Sequence, residues 1–241
     1  MTYSSRVPDR SAGGFFLTLC RSYAIIITKR DLRLEKTKKF KTILLFGAPG
    51  SGKGTQGQIL GSIPGLVHVA CGEIFRDLRV GSPLGRVFLD YSSRGALVPD
   101  DFTVQLWEEH IEGLVRLGRY DPQSDILILD GIPRNVAQAR LMDDYIEVLR
   151  LYYLDCEDKE KMYQRLKRRA IHENRLDDAS DDTIQNRLYV YEAETAPVLN
   201  HYPAGKVRRI DTGRTPIEVL ADILSDARKL MVIEEKDREN A

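Results

Sequence analysis

A glycine-rich loop that contains one lysine is the segment with the clearest potential for chemistry. It lies within residues 42–56, TILLFGAPGSGKGTQ, where an apolar run precedes the loop and a helical pattern follows it. Backbone N–H groups converge on a polyphosphate only where side chains are absent, which explains the repeated glycines. Lys53 adds a point charge for the terminal phosphates, and the helix offers its positive N-terminal end. The segment predicts a phosphate-binding loop.

A second group of polar residues follows another apolar run, residues 126–129. Asp130 ends that run, and we expect its carboxylate to hold Mg²⁺ through water. The alternative is a turn-capping aspartate, because the sequence of residues 131–133, Gly-Ile-Pro, favours a turn. Arg134 and Gln138 are one helical turn apart on one face. That spacing can direct a guanidinium to a phosphate and an amide to a base edge of the same ligand.

Arginines are concentrated in a third region. Arg165 and Arg169 are four residues apart and share one face of a predicted helix, and Arg175 and Arg187 follow. Charge runs are usually solvated surfaces, and the residues alone leave that interpretation open.

The elements that must position these residues alternate from residue 42 onward. Strand-like runs occupy residues 42–46, 66–70, 126–129, 151–154 and 206–210. Helical patterns lie near residues 53–61, 102–117, 135–148, 157–170, 181–200 and 216–230. This alternation predicts an α/β fold with a parallel sheet covered by helices on both faces. Ligands of such sheets bind at the carboxyl ends of the strands.

Composition excludes several functional classes. The 36 basic and 36 acidic residues cancel, so neither nucleic acid nor an anionic membrane is an expected partner. The cysteines, Cys20, Cys71 and Cys156, form no Cys-x-x-Cys pair, which favours a reducing compartment. The apolar stretch 15–28 is interrupted by Arg21 and is shorter than the roughly 20 residues that span a bilayer.

Residues 1–40 differ from the rest because they are rich in Arg, Lys and Ser and poor in acids. We interpret them as an N-terminal extension. An organelle-targeting peptide has this bias. A misassigned start, a disordered tail and a small amphipathic segment packed on the core would explain it equally.

Several motifs together resemble the adenylate kinase family of nucleoside monophosphate kinases. They are the loop Gly-x-Pro-Gly-x-Gly-Lys-Gly-Thr, the stretch DGIPRNVAQA, the segment GALVPD, and the pattern Arg165, Arg169, Arg175, Asp177, Asp178 and Arg187. The resemblance runs from about residue 42 to 230. It implies a three-layer P-loop fold with a five-stranded parallel sheet. It also implies a core over residues 41–232, an acceptor-nucleotide insertion near 70–99, a short lid near 169–176 and a charged tail at 233–241.

The resemblance implies transfer of the terminal phosphoryl group of ATP to AMP, with Mg²⁺ at Asp130. Its catalytic residues would be Lys53, Arg134, Arg169, Arg175 and Arg187. ATP would contact Gly50, Ser51, Gly52, Lys53, Gly54, Thr55, Arg165, Arg169 and Arg214. AMP would contact Cys71, Arg76, Ala96, Leu97, Val98, Gly131, Ile132, Pro133, Arg134, Gln138, Arg175 and Arg187. The short lid implies no zinc, and the family suggests a monomer, which we expect in the cytoplasm.

Two departures from the family pattern and one second interpretation keep alternatives open. Cys71 replaces the threonine usual in the family, so a UMP or CMP kinase is the second hypothesis, although Gln138 favours adenine. Thr212 and Gly213 reverse the usual order of glycine and threonine before Arg214. Asp100, at the end of GALVPD, is also a candidate N-cap of the next helix. A nucleotide-binding regulator without turnover is the alternative from another class, whereas a GTPase is disfavoured because no Asn-Lys-x-Asp occurs.

Overall fold

The computed structural model describes residues 39–79, 81–173 and 180–239. They belong to one unit, Lys39–Ala241. The N-terminal extension up to residue 38 therefore lies outside the described residues, as do Arg175, Asp177 and Asp178 of the arginine pattern. Within the described part, no helix is both long and apolar enough to cross a membrane.

A parallel sheet of five strands forms the centre of the fold, in the order β2-β3-β1-β4-β5. The strands are β1 Phe40–Phe46, β2 Leu66–Ala70, β3 Ile126–Asp130, β4 Ile146–Asp155 and β5 Val207–Asp211. The central strand β1 has a continuous buried run, residues 42–46, as is typical of parallel strands covered on both faces. The predicted five-stranded parallel sheet is confirmed.

Helices connect these strands. They are α1 Lys53–Leu60, α2 Cys71–Arg76, α3 Pro83–Ser93, α4 Asp100–Arg116, α5 Val136–Met142, α6 Lys159–Glu173, α7 Asp181–Val190 and α8 Pro216–Glu239. A π-helical turn, Tyr191–Thr195, and a 3₁₀ segment, Ala196–Asn200, continue α7, and a short 3₁₀ turn, Ala204–Lys206, precedes β5.

Two apolar layers, one on each face of the sheet, hold these helices. Leu44 of β1 contributes to the layer that contains Trp107 of α4. Its neighbour Ile43 points to the other layer, where Leu60 of α1 and Ile223 of α8 are buried. Successive strand residues point to opposite faces, so an unbroken apolar run supplies both layers. The predicted three-layer arrangement is confirmed.

The structure corrects two of the predicted helical regions and adds two helices. The helix predicted over residues 135–148 ends at Met142, and β4 begins at Ile146, because residues 146–155 are rich in branched and aromatic side chains. The helix predicted over residues 181–200 is α-helical only to Val190, and Pro197 lies in its 3₁₀ continuation, where it cannot donate an α-helical bond. The short helices α2 and α3 were not predicted.

Candidate active site

A cavity of about 600 Å³ opens at the carboxyl ends of β1, β2 and β3. It is bordered by the glycine-rich loop on one side and by residues 95–98 on another, with side chains of α6 and α7 along its margin. This is the edge of the sheet at which parallel α/β folds bind ligands. The expected location of the site agrees with the structure.

The glycine-rich loop is shaped by steric limits at its glycines. At Gly47, φ is 147° and an added Cβ would lie 2.3 Å from the carbonyl oxygen of Leu154. At Gly50, φ is 83° and an added Cβ would lie 2.9 Å from the carbonyl oxygen of Met162. Larger residues would force the loop away from β4 and α6. Because α1 begins at Lys53, the loop passes directly into a helix N-terminus that can attract phosphate.

Lys53 lies folded into its own loop. Its Nζ donates to the carbonyl oxygens of Gly47, at 2.7 Å, and Ala48, at 3.0 Å. The pKa of Lys53 is lowered to about 8, mainly by burial and in part by the neighbouring Arg169, Arg134 and Arg187, while the attraction of Asp130 opposes this shift. Lys53 therefore shares one electrostatic environment with a carboxylate and three guanidinium groups.

Asp130 ends β3 between two neighbouring strands. It is paired in register with Leu45 of β1 and Ala70 of β2, and it borders the cavity. Its Oδ2 is 3.8 Å from the position of a Cβ built on Gly54, so a side chain at residue 54 would touch the carboxylate. Within the described residues, no cluster of three or more His, Cys, Asp or Glu side chains could hold a metal ion. A single carboxylate fits Mg²⁺, which keeps several waters and takes its remaining ligands from substrate phosphates.

Arg134 is aimed by the turn that follows β3. Its Nε donates to the carbonyl oxygen of Gly131 at 2.8 Å, and Gly131 has a φ of 82°. The Ile132–Pro133 peptide bond of this turn is cis. Pro133 borders the cavity with Arg134, whereas the Ile132 side chain packs in the apolar core. The structure therefore places the side chain of Ile132, which the sequence analysis expected to contact AMP, in the core and not at the border of the cavity.

Arg187 reaches the cavity from α7, which is attached to the end of α3. Asn186 Nδ2 donates to the carbonyl oxygen of Arg94 at 2.5 Å, and Thr183 Oγ1 donates to that of Ser93 at 3.3 Å. Gly95 allows this close approach, because an added Cβ would lie 2.8 Å from Cγ of Arg187. The segment that precedes residues 96–98 and the helix that carries Arg187 therefore form one packed unit.

Helix α2 lines another part of the same cavity. Cys71 is its buried first residue and Arg76 its last, and both border the cavity. Burial raises the pKa of the Cys71 thiol to about 11, and the weaker effect of Arg134 opposes that shift. Cys71 is therefore a neutral thiol near pH 7. Between them, Phe75 stacks on Phe88 of α3 with a ring separation of 5.1 Å, and both rings border the cavity.

Gln138 of α5 borders the cavity and is fixed in place, with only 1% of its surface exposed. Its Oε1 accepts from the Arg134 N–H at 2.8 Å, and its Nε2 donates to Asp100 Oδ1 at 2.8 Å. The Gln138 N–H donates to Oδ1 of Asn135, which caps α5. Asp100 is not the N-cap that its position suggested. It is the first residue of α4, after Pro99, and its carboxylate is turned to α5 instead.

The far end of the cavity lies between α6 and the loop after β5. Arg165 Nη2 donates to the carbonyl oxygen of Thr212 at 3.1 Å. Arg214 borders the cavity but is paired with Asp222, and its Nε donates to the carbonyl oxygen of Asp211 at 3.3 Å. Gln56 Nε2 donates to the carbonyl oxygen of Pro216 at 3.0 Å, which joins α1 to the start of α8. Arg165 and Arg214, two of the three arginines predicted for ATP, therefore both donate to backbone carbonyls at the end of β5 and in the loop after it.

Comparison with known proteins agrees with this geometry. The family model described as "Adenylate kinase" matches residues 45–207. An adenylate kinase from Thermobifida fusca is 39% identical over 179 residues, which cover 70% of this chain and 88% of that protein. One from Thermosynechococcus vestitus is 38% identical over 191 residues, covering 75% of this chain and 94% of the relative. The chain belongs to the adenylate kinase family.

Most of the residues expected from the resemblance to the adenylate kinase family border the same cavity. Those that border the one cavity are Gly50–Thr55, Cys71, Arg76, Ala96, Leu97, Val98, Asp130, Gly131, Pro133, Arg134, Gln138, Arg165, Arg169, Arg187 and Arg214. Arg175 lies outside the described residues, and Ile132 is in the core.

The sequence analysis missed other residues around the cavity, including Phe75, Phe88 and Tyr191. Phe75 carried a usable signal, because it lies one helical turn after Cys71 and directly before Arg76. Phe88 and Tyr191 carried none, since only the tertiary packing brings their helices to the cavity.

Proposed function

We propose that this protein transfers the terminal phosphoryl group of ATP to AMP and so forms two molecules of ADP. The observation that carries the proposal is the convergence of Lys53 with the guanidinium groups of Arg134, Arg169 and Arg187 around one cavity. Two anionic nucleotides repel each other, and fixed cations offset that repulsion most strongly in the transition state. A protein that only binds one nucleotide would not need cations from four separate segments.

The glycine-rich loop holds the donor phosphates through its backbone N–H groups and the start of α1. Lys53 leaves the carbonyl oxygens of Gly47 and Ala48 and pairs with the terminal phosphates. Arg134, Arg169 and Arg187 then stabilise the charge that spreads over the transferred group, an effect worth about 10³- to 10⁵-fold in rate for a single well-placed arginine. No general base is required, because the attacking oxygen belongs to an ionised phosphate.

Mg²⁺ bound with ATP would be held through water by Asp130, where it neutralises phosphate charge. Arg165 and the loop at Thr212 would enclose the adenine of ATP, with Arg214 at the margin. On the acceptor side, Arg76 would hold the monophosphate and Gln138 the base, beside residues 96–98. An amide that offers one donor and one acceptor suits the adenine edge. We also propose that the protein acts as a cytoplasmic monomer, which size-exclusion chromatography and cell fractionation would test.

The test is a comparison of acceptors. Purified protein is mixed with ATP, Mg²⁺ and, separately, AMP, dAMP, CMP, UMP or GMP, and the initial rate of ADP formation is measured. We expect AMP to exceed the ribonucleotides CMP, UMP and GMP at least tenfold in kcat/KM. A preference for CMP or UMP would identify a pyrimidine kinase, as Cys71 would favour. No transfer to any acceptor would reject the kinase and leave a nucleotide-binding regulator.

A further inference from the structure

The amide of Gln138 has a defined orientation. Its Oε1 faces the Arg134 backbone N–H at 2.8 Å, and its Nε2 faces Oδ1 of Asp100 at 2.8 Å. A backbone N–H only donates and a carboxylate only accepts, so these two partners identify which end of the amide is oxygen and which is nitrogen. The reversed amide would bring oxygen against carboxylate and N–H against N–H.

The Asp100 side chain forms hydrogen bonds with residues at the start of α5 and not with its own helix. It makes no side-chain cap of α4. Its Oδ1 instead accepts from both Gln138 Nε2 and Asn135 Nδ2, each at 2.8 Å. The Asn135 amide is oriented in the same way, because its Oδ1 accepts from the Gln138 N–H at 2.7 Å. One carboxylate oxygen on α4 therefore holds two amides at the start of α5.

We infer that Asp100 is a positioning residue that sets which purine the acceptor site prefers, an inference that rests on the proposed function. With its present partners, the Gln138 amide keeps one N–H and one oxygen lone pair for a ligand. Adenine presents an acceptor at N1 and a donor at N6. Hypoxanthine presents the opposite pair, a donor at N1 and an acceptor at O6. The orientation of one amide thus distinguishes AMP from inosine monophosphate, which has the same sugar and phosphate.

Removing Asp100 would leave the Arg134 N–H as the remaining partner that resists reversal of the amide. The reversed orientation would then become accessible and would accept hypoxanthine. The binding of phosphate and ribose would be unaffected, since those groups contact other residues. The expected change is therefore in the ratio of the two acceptors and is not an equal loss with both.

The experiment measures kcat/KM for AMP and for inosine monophosphate in four proteins: the wild type, Asp100→Ala, Asp100→Asn and Asp101→Ala. Asp100→Ala should lower the ratio of AMP to inosine monophosphate about tenfold. Asp100→Asn should keep the ratio within about twofold, because its oxygen can still accept from both amides. Asp101→Ala removes the exposed neighbouring acid from the same helix turn and should leave the ratio unchanged.

An unchanged ratio in Asp100→Ala, or an equal loss with both acceptors, would overturn the inference and reduce Asp100 to a structural residue. So would a ratio in Asp100→Asn as low as in Asp100→Ala. Far-UV circular dichroism establishes that each variant is folded, and Asp100→Ser replaces Asp100→Ala if the latter does not fold. If the wild type fails to phosphorylate AMP, the proposed function itself fails, which is a different outcome from a ratio that does not respond.

Discussion

The proposed donor and acceptor sides of the cavity are built by different means. The donor side is a contiguous segment, residues 47–55, whose backbone N–H groups and single lysine would bind phosphate. The acceptor side combines side chains from α2, α4, α5 and α7, with Cys71, Asp100, Gln138 and Arg187 far apart in sequence. A phosphate is recognised by charge and by converging N–H groups, whereas a base is recognised by the direction of individual donors and acceptors. A phosphate site can therefore be built from one contiguous segment. A site that recognises a base needs donors and acceptors in fixed directions, and here only tertiary packing brings those side chains together.

The largest effect should come from removing the charge of the donor loop. Lys53→Met is expected to lower kcat by about 10³-fold or more, because it removes a cation from the transferred phosphate. Steady-state rates of ADP formation check this. Lys229→Met, on the exposed surface of α8, is the control and should retain wild-type activity. A loss below tenfold in Lys53→Met would show that the arginines of the acceptor side suffice.

The steric limits at the loop glycines offer a second way to disrupt the donor side. Gly47→Ala should reduce the free energy of unfolding by at least about 2 kcal/mol, because its Cβ would lie 2.3 Å from the Leu154 carbonyl oxygen. Gly113→Ala is the matched control. Apart from the adjoining backbone of its own helix, no atom lies within 4 Å of a Cβ there, so this change within α4 should stabilise by about 0.5–1 kcal/mol. Urea denaturation measures both, and equal effects of the two changes would contradict the steric argument.

The pH dependence of kcat/KM for ATP should report the charge of Lys53 on the donor side. Lysine is positive below its pKa and neutral above it, and the pKa of Lys53 is lowered to about 8. In the protein without bound nucleotide, kcat/KM for ATP should therefore fall as the pH rises through about 8, by about tenfold per pH unit beyond it. Rates from pH 6 to pH 10 check this. Lys53→Arg keeps its charge and should show no such fall, even if its rate is lower. A wild-type profile that stays level to pH 10 would contradict the prediction.

The smallest effect is expected at Cys71, on the acceptor side. Cys71→Thr supplies a stronger hydrogen-bonding group beside the base and should raise the preference for AMP over CMP by about 2- to 10-fold. Competition between the two acceptors measures it. Cys156→Ser is the control, because Cys156 is equally buried but does not border the cavity. A preference for CMP in the threonine variant would reverse the role assigned to this position.

Much of the fold could be predicted because its signals are local. The apolar runs of β1, β2 and β3 and the glycine-rich loop are contiguous, so strands, loop and the start of α1 were located to within a few residues. The early part of β4 was missed because Glu147 and Arg150 interrupt its apolar residues and it directly follows a helical pattern. Helix α2 was missed because six residues are too few to show a helical period, whereas α3 carries an amphipathic helical pattern that the sequence analysis did not use.

The sequence by itself determined the phosphate-binding loop, the parallel sheet and the set of cationic residues, since each is defined by residue types at fixed spacing. Only the tertiary structure decided that Ile132 belongs to the core and that Phe88 and Tyr191 border the cavity. It also decided that Asp100 turns away from its own helix to hold Gln138, 38 residues away. The physical reason is that hydrogen bonds depend on the direction and distance of two atoms, and for distant residues the packing of the helices sets both.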